Sequence, residues 1–152
     1  MSYIISADSN IVIQHSSPNY LLLSTNTILE SSLIDYTPKN ASNKVVYDYT
    51  FLVHYGASTL SDIGFAKLQE YNGSSWVDVS NCVKSFGTSS QIAHVVNIKF
   101  IIDSWSGSKQ LRLYCGAKSS SDNILLYANQ YWQNNTSNLY NKFKCVLKVY
   151  EV

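Results

Sequence analysis

Basic side chains of one kind are almost missing: Arg112 is the sole arginine in 152 residues, and no cluster of lysines compensates for it. Phosphate recognition rests on several Arg or Lys gathered on one face, so nucleic acid is not an expected partner. Charged residues amount to 14% and the formal net charge is +1, which leaves little self-repulsion to keep identical surfaces apart. Long apolar runs are also missing. No stretch approaches the ~20 residues needed to cross a bilayer as a helix, so membrane insertion is not expected. Residues 1–8 carry neither a basic leader nor a long apolar segment, which predicts synthesis in a cytoplasm without a secretory signal. The Asn-x-Ser/Thr matches at Asn40, Asn72, Asn134 and Asn135 then carry little weight.

Cysteine is sparse and badly spaced for chemistry. Cys82, Cys115 and Cys145 are odd in number, far apart and never in a Cys-x-x-Cys spacing, so neither a zinc site nor a disulfide framework is expected. Cys115 shares a strand face with Leu111 and Leu113, and Cys145 with Leu147 and Val149, positions suited to a small buried hydrophobe. Cys82 falls in a polar stretch, residues 81–91, that reads as a loop and would leave its thiol exposed. His15, His54 and His94 lie on separate predicted strands, none paired in spacing with a second metal ligand. Glu70, Asp78 and Asp103 are the carboxylates that could in principle form an acid pair, but Asp103 opens a Ser/Gly turn where it would cap backbone donors. There is no Gly-x-Ser-x-Gly elbow and no phosphate loop. The expectation is a protein without catalysis, metal or cofactor.

What the chain does contain is strand pattern. Residues 45–55 place Val45, Tyr47, Tyr49, Phe51, Val53 and Tyr55 on one face, because side chains alternate with a period of two. Residues 92–102 repeat the pattern with Ile92, His94, Val96, Ile98, Phe100 and Ile102. Shorter apolar segments at 11–15, 20–23 and 27–33 precede them, and 110–117, 124–132 and 142–152 follow. Asn72-Gly73 between alternating segments 64–71 and 76–79 predicts a hairpin, since both residues tolerate positive φ. Pro18 and Pro38 lie between segments, where a missing donor costs no ladder hydrogen bond. The spacing predicts an all-β, antiparallel two-sheet jelly-roll sandwich of about eight to ten strands. Residues 1–30 read as an N-terminal arm or short strands contiguous with a sandwich over 31–152, in one domain.

Aromatics make up 13% of the chain, with twelve tyrosines. Two readings compete. Tyr47, Tyr49 and Tyr55, with His94, would serve the core and a subunit interface, where Tyr offers one apolar and one polar end. Alternatively Trp105, Tyr131 and Trp132 on loops would stack on sugars or anchor a partner.

The segments Asp35-Tyr36-Thr37-Pro38, Ser42-Asn43-Lys44-Val45-Val46-Tyr47-Asp48-Tyr49, Leu68-Gln69-Glu70-Tyr71-Asn72-Gly73-Ser74-Ser75-Trp76-Val77 and Leu111-Arg112-Leu113 resemble small structural proteins of tailed bacteriophages. The resemblance extends in pattern from about residue 30 to the end, and its motifs carry no catalytic residue. It implies a homotrimeric jelly roll shaped like the C1q and tumour-necrosis-factor heads. It further implies a virion component on the capsid surface, a decoration or cement protein that clamps the major capsid protein. The alternative it implies is a tail-fibre or spike tip that binds a host glycan. No acidic Ca²⁺ loop is visible here, so metal dependence does not follow from the resemblance.

Overall fold

The computed structural model describes residues 2–7, 10–16, 21–22, 27–55, 62–88, 94–118, 124–126 and 144–152. These form β1 (Ser2–Ala7), β2 (Asn10–Ser16), β3 (Leu21–Leu22), β4 (Thr27–Tyr36), β5 (Lys44–Tyr55), β6 (Asp62–Tyr71), β7 (Trp76–Thr88), β8 (His94–Asp103), β9 (Lys109–Ala117), β10 (Ile124–Leu126) and β11 (Lys144–Glu151), with no helix among the described residues. Two antiparallel sheets pack together as a β-sandwich. The four-stranded sheet has the order β4-β9-β6-β7. The seven-stranded sheet runs β1-β2-β11-β5, and β8 takes the far edge of β5 from Lys44 to Val53. β11 and then β10 share the near edge of β5, along residues 45–50 and 53–55, and β3 lies beyond β10. Within residues 1–30, β1 and β2 thus extend the large sheet past β11, and residues 27–30 begin β4.

The core is the space between the sheets. Val45, Tyr47, Tyr49, Phe51 and Val53 of β5 are all fully buried, facing Leu29, Ala66, Leu68, Leu111, Leu113 and Cys115 of the smaller sheet. Burying each large side chain contributes about 1.5–3 kcal/mol. Phe51 links the rings of the core, lying 5.5 Å from Tyr49 and 5.5 Å, edge-on, from Phe86. Cys115 and Cys145 are buried as their strand faces predict.

Two irregularities shape the smaller sheet. In β4 the register against β9 jumps between Leu29 and Ile34, and Ser32 sits fully buried in the interruption. Its hydroxyl donates to the carbonyl of Leu29 (2.5 Å) and accepts from the N–H of Leu113 (2.8 Å), replacing ladder bonds that the bulge removes. In β7 the register against β6 jumps near Lys67 and Gln69, and Asn81 adopts φ 61°. The strand therefore continues to Thr88, correcting the expected loop over 81–91 for its described residues. Cys82 belongs to this strand and is 4% exposed, not an open thiol, because the bulge turns it inward beside the core. Burial pushes its pKa up.

The hairpin at Asn72-Gly73 forms as its turn chemistry predicts. Asn72 N–H donates to the carbonyl of Ser75 (3.0 Å), its Oδ1 accepts from the N–H groups of Ser74 and Ser75, and Gly73 takes φ 96°.

Candidate functional site

Two surfaces carry features that the core does not absorb. The first is the outer face of β5 and β8. The ladder sets Val46 opposite Ile101, Asp48 opposite Lys99, Thr50 opposite Asn97 and Leu52 opposite Val95. Val46 and Leu52 are buried, whereas Val95 and Ile101 on the edge strand are 57% and 62% exposed. Between them lies a polar centre. Asn97 Nδ2 donates to Asp48 Oδ1 (2.6 Å) and Thr50 Oγ1 (2.8 Å), and Lys99 Nζ stands 3.2 Å from Asp48. That carboxylate raises the pKa of Lys99.

The second is a cleft of about 510 Å³ at the end of the four-stranded sheet, where the β6–β7 hairpin meets the β8–β9 connection. Asp35 of β4 stands opposite Gln110 of β9, Glu70 of β6 opposite Leu111, and Tyr71 opposite Trp76 of β7. Asp35, Gln110, Tyr71 and Trp76 consequently form one row across the sheet's end. The rings of Tyr71 and Trp76 are 5.5 Å apart and inclined by 52°. Arg112 lies over the other ring of the pair, 3.9 Å from the Trp76 centroid, and donates its Nε–H to Gln69 Oε1 (3.0 Å). Ser106, Ser108 and Lys109 also line the cleft, and Lys109 donates to Glu70 at 2.8 Å.

The residues singled out from sequence distribute unevenly. Tyr47 and Tyr49 are both 0% exposed: their rings fill this chain's own core, which corrects their assignment to a subunit interface. Their hydroxyls are also taken up internally, Tyr47 by the carbonyl of Ser32 and Tyr49 by Ser31 Oγ. Tyr55 closes β5 opposite Ile124, and its side chain lies outside the described set. His94 opens β8 opposite Val53, half-buried. Trp105 is not an exposed stacking platform either. Its ring packs edge-on against Tyr36 at 6.1 Å and under Lys109 at 5.4 Å, with its Nε1–H buried and unpartnered among the described residues. Tyr131 and Trp132 lie outside the described residues. Each candidate carboxylate is held by a lysine: Glu70 by Lys109, Asp78 by Lys67 and Asp103 by Lys44. Among the described residues no three His, Cys, Asp or Glu side chains converge.

The row Asp35–Gln110–Tyr71–Trp76 escaped sequence reasoning because its members come from four strands, and only the ladder register brings them together. No protein-family model matches the chain, and no curated protein matches it significantly.

Proposed function

We infer that the chain is a virion structural protein of the tailed-phage kind, a homotrimer that binds the major capsid lattice and stabilises it. The observation that carries this reading is the strand order. Taking β2, β4, β5, β6, β7, β8, β9 and β11 as first to eighth, the sheets run first-eighth-third-sixth and second-seventh-fourth-fifth. That interleaving supports a double-sheet jelly roll, the architecture used repeatedly in viral capsid domains. The subunit contact belongs on the outer face of β8, where Val95 and Ile101 are exposed on an edge strand whose own core side is already filled. A net charge of +1 opposes such association little.

Stabilisation follows from mass action. A trimer that binds the assembled lattice and not its dissociated parts favours assembly by about 2.7 kcal/mol per site when its free concentration is about a hundred times Kd. The test is cosedimentation with capsid shells assembled without the protein. Saturable binding, and a rise in the temperature at which the shells dissociate, is the expected result. Absence of binding at all protein concentrations removes the reading.

A further inference from the structure

We propose that the cleft at the end of the four-stranded sheet is a binding site for a neutral saccharide. A sugar ring presents an apolar C–H face and a rim of hydroxyls, so its receptor needs an accessible aromatic surface beside groups that both accept and donate hydrogen bonds. The cleft supplies both. Tyr71 remains 37% exposed, steadied at its back by Trp76, which Arg112 in turn holds in place. In the same row, the Asp35 carboxylate accepts and the Gln110 amide does both, and they stand opposite each other across β4 and β9. Ser106 and Ser108 add hydroxyls to the lining.

The backbone is bare where a ring would enter. Gly73, on the cleft lining, has φ 96°, and a Cβ placed there would meet nothing within 4 Å; Gly107, between the two serines, has φ 81° and the same open space. Positive φ makes glycine the natural occupant of both, and the missing side chains leave room for close approach. A cleft of about 510 Å³ accommodates one or two hexose units in place of a macromolecular epitope.

Charge selects the class of sugar. On the cleft lining one ammonium, Lys109, stands with one carboxylate, Asp35, and Lys109 is already bonded to Glu70 at 2.8 Å. Arg112 is likewise engaged by Gln69 and the Trp76 ring, so a sialylated or sulfated glycan would have to displace these contacts to gain a cation, whereas an uncharged hexose or N-acetylhexosamine needs none. The site is independent of the subunit contact on β8: a chain that proved monomeric would lose the trimer reading and keep this one.

The test is an array of immobilised neutral hexose and N-acetylhexosamine oligosaccharides beside sialylated and sulfated ones, followed by calorimetric titration of the full chain with the best neutral binder. Neutral binding is expected, with Tyr71→Ala and Asp35→Asn each weakening it by about tenfold or more. Tyr71→Phe should bind nearly as the parent does. Thermal melts establish that each variant is folded, and Gln110→Ala, at a separate position in the row, provides a further variant. No neutral binding, binding confined to anionic glycans, or neutral binding that folded Tyr71→Ala, Asp35→Asn and Gln110→Ala all retain would each overturn the assignment.

Discussion

Tyr47 of the large sheet reaches across the sandwich and donates its hydroxyl hydrogen to the backbone carbonyl of Ser32, 2.5 Å away inside the β4 bulge. The bond ties the core aromatics of β5 to a bulge where the opposite sheet lacks its own ladder partners. Tyr47→Phe keeps the ring and strands that carbonyl, so it should cost about 1–3 kcal/mol. Ser32→Ala leaves the Leu113 N–H without its acceptor and should cost a similar amount. Urea unfolding curves measure both, and the double variant should fall short of the sum because the two changes share one bulge.

Gly64 is where the core leaves no spare volume. A Cβ at this position would stand 2.5 Å from Cε2 and Cζ of Phe86, directly opposite in the β6–β7 ladder. Gly64→Ala should therefore destabilise by about 1–3 kcal/mol, and Phe86→Leu in the same chain should recover part of the loss. Equal stability of Gly64→Ala and the parent in urea would show that the ring moves aside freely.

These two sites mark where the fold was legible in the sequence and where it was not. The face of β5 could be read directly, because alternation from Val45 to Val53 is unbroken and its residues are all buried. The Asn72-Gly73 turn was equally plain, since its chemistry is local. The continuation of β7 was hidden. A bulge at Asn81 shifts the phase of alternation, so Val79 and Cys82, three residues apart, both lie toward the core. The use of the tyrosines was hidden as well: period two puts Tyr47 and Tyr49 on one face but does not say whether a second sheet or a second chain covers it. In this fold the second sheet does.

Glu151 holds the turn before β5. Its carboxylate accepts from the N–H groups of Lys39 (2.5 Å) and Asn40 (3.2 Å) and from Asn43 Nδ2 (3.1 Å). The Lys39 bond is the largest cause of a pKa held below the ordinary glutamate value of 4.5. A depressed folded pKa contributes stability above 4.5 that is lost as pH falls through the lower folded value. The melting temperature of Glu151→Gln should therefore lie below the parent's at neutral pH, and the gap should close in acid. A gap constant down to the acid limit would show that the charge is not what matters.

The thiols provide a third check on the core. Cys82 and Cys115 are buried, and burial pushes both pKa values up. The native protein should label with a thiol reagent slowly at these two positions, at a rate set by opening of the fold, and fully in denaturant. Rapid labelling of Cys82 in the native state would place it back on an open loop.

Subunit association is the claim on which the functional reading depends, and the mass of the purified chain in solution tests it most directly. Light scattering across a dilution series should give three chains of 17.1 kDa, and Val95→Asp with Ile101→Asp should reduce this to one without lowering β-sheet content. A parent protein of 17.1 kDa at every concentration would contradict the account.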